Sequence, residues 1–110
     1  MSLEHRLEPD ADLLVLASET LKLLAEPTRL HLMWQLESQE RNVGELVEAT
    51  GASRTVVSQH LAKLRLGGLV ATRKDGRHVY YRIADGHAGR LVTEALSRAD
   101  HERTGAPTHD

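Results

Sequence analysis

The chain has no cysteine and no phenylalanine, and only 3% of its 110 residues are aromatic. Without cysteine it can form no disulfide, no thiolate metal site and no thiol redox sensor. Without phenylalanine the core must rest on Leu, Val and Ala, which favours a mainly helical protein. No apolar run reaches the ~20 residues that cross a bilayer, and no secretory leader is visible, so the sequence predicts a cytoplasmic protein with no membrane partner. At 110 residues there is material for one domain with a modest core. So small a core gains from dimerisation, which buries more apolar surface.

A net charge of −2 argues by itself against a nucleic-acid partner. The distribution argues the other way. Residues 1–52 carry 4 Lys/Arg against 10 Asp/Glu, and residues 78–110 carry 4 against 5. Between them, residues 53–77 hold Arg54, Lys63, Arg65, Arg73, Lys74 and Arg77 against Asp75 alone. A basic patch on an acidic body is the electrostatic footprint of a DNA binder.

The pattern predicts five helices and one β-hairpin. Leu13, Leu16, Ala17, Thr20, Leu21 and Leu24 recur at helical spacing, with Asp10 suited to the N-cap. Glu26-Pro27 breaks that run, and Pro27 suits the first position of a second helix over 27–38, with Leu30, Met33, Trp34 and Leu36 directed to the core. Residues 39–42 read as a polar link. Asn42 suits the N-cap of a third helix ending at Gly51, and Ser53 that of a fourth, stopped by Gly67-Gly68. Leu69–Arg73 and His78–Ile83 alternate as strands about a turn at Asp75-Gly76. A fifth helix covers about Asp85–Ala99, with Leu91, Val92, Ala95 and Leu96 apolar. Residues 1–9 read as an arm, 10–102 as the domain and 103–110 as a tail.

The third and fourth helices form a helix-turn-helix, in which the second helix enters the major groove of double-stranded DNA. Val56, Val57, Leu61 and Leu64 supply its buried stripe. That leaves Ser53, Arg54, Thr55, Ser58, Gln59 and Lys63 outward, side chains that can hydrogen-bond base edges and phosphates. His60, at the edge of the stripe, joins this candidate set, although packing or local hydrogen bonding is its more ordinary use. The hairpin adds a wing, with Arg73, Lys74 and Arg77 around its tip to grip phosphate or reach the minor groove.

Three runs resemble the ArsR/SmtB family of winged-helix repressors: LLAEPTRLHLMWQL upstream, SQHLAKLRLGGLV over 58–70, and R-x-x-G-R-x-x-Y-Y over 73–81. The resemblance covers about residues 15–101. It implies a winged helix-turn-helix fold, a homodimer paired through the first and last helices, a palindromic operator, and repression relieved by a ligand.

Within that family, cysteine ligands on the third helix are excluded here. A zinc pattern on the last helix, D-x-H-x10-H-x2-(H or E), is matched by Asp85, His87 and His101 but carries Arg98 at its third place. A nickel/cobalt-sensing, KmtR-like branch has a His early on the last helix, an acid–His pair 13 and 14 residues later, and a tail His 22 residues later. His87, Asp100, His101 and His109 stand at those spacings. Asp100 replaces a Glu, and Asp110 stands where the branch has a second tail His. The resemblance thus implies nickel or cobalt as effector, held by His87, Asp100, His101, His109 and Asp110. Imidazole and carboxylate donors suit those ions. Zinc, a non-metal signal or no ligand is the alternative.

Helix geometry adds a constraint. Fourteen residues separate His87 from His101, about 21 Å along one straight helix. A single ion cannot join both within one chain, but an antiparallel pair of last helices brings one chain's His87 to the other's His101. Asp85 reads as an N-cap before a ligand. His5 could approach from the arm, whereas His31 and His78 read as packing and ribbon residues. A metallohydrolase built on the same His/Asp set lacks a paired general base and a pocket. An adaptor leaves the basic face unexplained.

Overall fold

The computed structural model describes residues 8–105. Five helices and a small sheet follow one another as α1 (Ala11–Leu24), α2 (Pro27–Ser38), β1 (Arg41–Asn42), α3 (Val43–Thr50), α4 (Arg54–Leu66), β2 (Val70–Asp75), β3 (His78–Ile83) and α5 (Gly86–Thr104).

Each helix starts where a side chain can take a free first-turn amide. Asp10 accepts from the Leu13 amide at 2.8 Å, and Glu26 from the Arg29 amide at 2.7 Å with Pro27 beginning α2. Asn42 and Glu45 accept from each other's amides at 2.9 and 2.8 Å, a reciprocal cap for α3. Ser53 accepts from the Val56 amide at 3.1 Å to open α4. Asp85 accepts from the His87 and Ala88 amides at 2.8 and 3.4 Å to open α5. Gly51, at φ 74°, ends α3 in the left-handed region that only glycine enters without strain. It thereby sets the turn between the two helices of the helix-turn-helix.

The core is aliphatic. Leu32, Met33, Leu46, Val57, Leu61 and Leu64 are fully buried, with Val92 of α5 against them. On α2 the buried residues are Leu32, Met33 and Leu36, and Trp34 is half exposed. The expectation that Trp34 faces the core is therefore corrected. At ~100° per residue, position 34 lies ~200° from both 32 and 36, on the far side of the helix. Val56 is likewise at the rim of the α4 stripe, 36% exposed.

The wing is larger than a hairpin. Arg41 and Asn42 pair antiparallel with Tyr81 and Tyr80, so the sheet has three strands in the order β1-β3-β2. The stretch expected to be only a link thus contributes an edge strand. Two paired residues are too few to show alternation in sequence. β2 and β3 pair from Val70↔Ile83 to Asp75↔His78 around the Gly76-Arg77 turn. α5 runs past the expected end at Ala99 to Thr104 and closes on Gly105 at φ 71°. Arg103 and Thr104, expected in the tail, are helical. Of the expected arm and tail, residues 1–7 and 106–110 lie outside the described residues.

Candidate nucleic-acid interface and metal-ligand helix

The outer face of α4 carries the side chains expected there. Arg54, Thr55, Ser58, Gln59 and Lys63 are exposed, as is Ser53, whose hydroxyl is engaged in the helix cap. His60 is turned the other way. Arg29 Nη1 donates to its Nδ1 at 3.0 Å, which leaves the ring proton at Nε2, 3.6 Å from Glu26 Oε1. Arg29 Nε also donates to the Leu23 carbonyl at 2.6 Å. His60 thus ties α4 to the α1–α2 junction.

The wing divides its cations between two faces. Arg73 Nε donates to Glu40 Oε1 at 2.7 Å, and its Nη2 donates to the same oxygen. The guanidinium lies 4.8 Å from the centre of the Tyr80 ring. Hydrogen bonding from Arg73 holds the Glu40 carboxyl below its ordinary range, and the same bond raises Arg73. A lowered carboxyl pKa adds stability above the ordinary carboxylate range and loses it as pH falls through the folded value. Glu40→Gln is expected to remove this acid-side loosening, measured as amide exchange in β2 and β3 as pH falls from the ordinary carboxylate range to below it; identical profiles in both proteins would contradict the clasp.

Lys74 and Arg77 open onto a different surface. Together with Arg54 and Arg65 they line a trough of about 610 Å³ between the underside of the wing, α4 and the first turn of α3. Glu40 and Arg65 are the residues that sequence reading left out of the site. Arg65 carried a signal, since it belongs to the basic cluster and shares a helical face with Arg54. Glu40 carried none.

The metal candidates are strung along α5. His87 Nδ1 accepts from Arg90 Nη2 at 2.8 Å, and Asp100 accepts from Arg103 at 2.8 Å. His101 is half-buried, nearly four turns beyond His87. Arg98, at the third place of the zinc pattern, pairs with Glu102 at 3.6 Å, and the Asp85 carboxylate is committed to the cap. Among the described residues no three His, Asp or Glu side chains approach closely enough to hold an ion. His5, His109 and Asp110 lie outside the described residues. α5 carries imidazole and carboxylate donors of the kind that transition metals take, but His87 and His101 stand fourteen residues apart along it.

An apolar surface beside α5 offers a place for the second chain. Leu14, Val15, Leu16 and Leu21 of α1 and Leu91 of α5 are 43–62% exposed. Leu21, Leu24, Leu91 and Ala95 line a groove of about 580 Å³ between the two helices.

The family profile described as bacterial regulatory protein, arsR family, matches residues 26–72. The chain is 43% identical over 101 residues to the transcriptional regulator KmtR of Mycobacterium tuberculosis, covering 92% of this chain and 77% of KmtR. It is 36% identical to the regulator NmtR of the same organism, over 80% of this chain and 73% of NmtR. The homodimeric winged helix-turn-helix DNA-binding domain of a Mycobacterium bovis protein superposes with a TM-score of 0.76 at 33% identity, covering 96% of this chain and 98% of that one. The repressor BigR of Xylella fastidiosa superposes at 0.70 with 33% identity, over 88% and 95% of the two chains.

Proposed function

The chain belongs to the ArsR family of bacterial regulatory proteins, and from that premise we propose a homodimeric repressor that reads a palindromic operator with α4 and releases it on binding nickel or cobalt. The family is one of DNA-binding regulators, so the protein is a regulator and not an enzyme. One observation carries the DNA reading: hydrogen-bonding side chains on the outer face of α4 adjoin unpaired cations at the wing, on a body that is otherwise acidic. Gln59 is suited to adenine and Arg54 to guanine or a phosphate, and Ser53, Thr55, Ser58 and Lys63 fix the register on phosphate. Two-fold symmetry places two such helices in successive major grooves, one helical turn apart.

Support for metal control comes from α5. His87 of one subunit, with Asp100 and His101 of the other, would hold the ion across the dimer, and His109 and Asp110 would complete the set. A bound ion would supply a cross-link between the two last helices. The protein's own packing does the rest. α5 buries Ala88 and Val92 in the core, and α2 contacts both α5 and α4. A change in the relation of the two α5 helices therefore changes the spacing of the reading heads. Only a ligand that favours one of those arrangements can release DNA. The KmtR likeness and the His87/Asp100-His101 spacing favour nickel or cobalt; zinc loses its third place to Arg98.

The test is a titration. Duplexes selected by the purified dimer from a randomised pool are labelled, and binding is followed by fluorescence anisotropy with nickel, cobalt or zinc added. Nickel or cobalt is expected to weaken binding by roughly 5–150-fold, the usual range of allosteric coupling. DNA affinity unmoved by either ion at micromolar concentration would remove the sensor half of the proposal and leave the repressor half standing.

A further inference from the structure

We propose that the trough beneath the wing seats one strand of the DNA backbone, with Arg65 as a phosphate contact and with Arg73 kept out of the contact set by Glu40. This rests on the DNA-binding reading above and specifies where the backbone runs.

Arg54 and Arg65 come from the two ends of α4, and Lys74 and Arg77 from the wing, yet all four line the same cavity. None of the four side chains has a hydrogen-bond or ion-pair partner among the described residues. No Asp or Glu lines the trough. Like charges gathered without a counter-ion repel, and a concave wall focuses their field, so the cavity favours an anion.

Its shape favours a polyanion. Arg54 and Arg65 are eleven residues apart, about three turns, so they share a face of α4 ~16 Å apart along its axis. One DNA strand carries a phosphate every ~3.4 Å of helix axis, so a trough that long meets several phosphates in a row. Its position fits as well. The trough lies between α4, which reads the major groove, and the wing, which flanks it. The strand separating the two grooves must pass there. Gly44, in the first turn of α3, presents backbone to the same wall.

Strand alternation sorts the wing. Lys74 pairs with Val79 and shares its face, the trough side. Arg73 pairs with Tyr80 and so projects from the opposite face. There Glu40 takes its guanidinium and Tyr80 lies beside it. Arg73 is a positioning residue: it joins β2 to the segment leading into β1 across the central strand, and so holds the wing over the trough.

Salt dependence separates the two roles, because each phosphate contact contributes to the slope of log affinity against log salt. With the pool-selected duplex and the full-length dimer, Arg65→Ala is expected to flatten that slope by about two units, roughly 0.9 for each of two reading heads. Affinity at 0.1 M salt should fall on the order of tenfold or more. Arg65→Lys should restore most of the slope. Arg73→Ala should weaken binding with the slope unchanged, and Glu40→Gln should weaken it in the same way. An unchanged slope in Arg65→Ala, with the thermal melt intact, would overturn the inference. So would a slope loss in Arg73→Ala equal to that predicted for Arg65. Saturable binding of inorganic phosphate that depends on Arg65 but leaves the DNA slope alone would make the trough a small-anion site instead. A wild-type dimer that selects no duplex would remove the DNA reading itself, a separate and recognisable failure.

Discussion

Glutamate at Leu14 and Leu21 together is expected to give a folded monomer whose operator affinity falls about a thousandfold, towards the non-specific level. The two positions are seven residues apart, nearly two turns, so they lie on one face of α1. Each is 56% exposed in the single chain. With Val15, Leu16 and Leu91 they make an apolar surface beyond the scattered residues that monomers carry. Two carboxylates placed there would be buried without partners in a dimer, a cost of several kcal/mol per charge. Folding should survive, because α1 contributes Leu24 to the buried core and little else. The loss of affinity then follows from geometry. A palindromic operator is read by two heads on a two-fold axis, and one head alone keeps half of the contacts. Sedimentation checks the mass, circular dichroism the fold and anisotropy the affinity. A variant that is monomeric yet binds as tightly as the wild type would contradict the dimeric reading mode.

His101→Ala is the second change with a large expected effect, and its effect is selective. DNA affinity without metal should match the wild type, since His101 lies on α5, away from α4 and the wing. The roughly 5–150-fold weakening by nickel or cobalt should disappear. His87→Ala should do the same from the other end of the helix. In the single chain His87 accepts from Arg90, so an ion taken at Nδ1 must displace that guanidinium. Asp100 accepts from Arg103 through Oδ1, and its second oxygen stays open to an ion. In the proposed site Arg90 would thus compete with the metal and set a threshold below which DNA stays bound. A full nickel response retained by either alanine variant would place the effector elsewhere.

Much of the fold was legible because its signals are local. Asp10, Asn42, Ser53 and Asp85 each sit one residue before a helix and cap it. Asp75-Gly76 marks the hairpin, and Gly51 marks the turn between α3 and α4. What escaped is long-range. Glu40 and Arg73 are 33 positions apart, and Arg29 and His60 are 31. No periodicity announces such partners, because packing chooses them once the chain has folded. Their effect on the candidate interface is direct: His60 is drawn towards Arg29, and Arg73 towards Glu40, so two of the basic or polar side chains placed on the DNA side by pattern alone are engaged within the protein. Trp34 shows the other limit. An aromatic residue in a short amphipathic helix looks like core, but the position of Leu32 and Leu36 decides which side is buried. The proposed metal set rests on a spacing alone, since His87 and His101 stand fourteen residues apart on one helix.

In the proposed dimer an ion held between the two subunits controls release of DNA. Mixing the His87→Ala and His101→Ala proteins and letting subunits exchange tests this bridge. Neither parent should bind nickel tightly or respond to it. In a mixed dimer with antiparallel last helices, one of the two symmetry-related sites loses both imidazoles and the other keeps both, so about one intact site returns per mixed dimer. Nickel binding and metal-dependent loss of DNA affinity should therefore reappear together on mixing. A mixture as inert as its parents, with subunit exchange verified by mass, would contradict the bridged site.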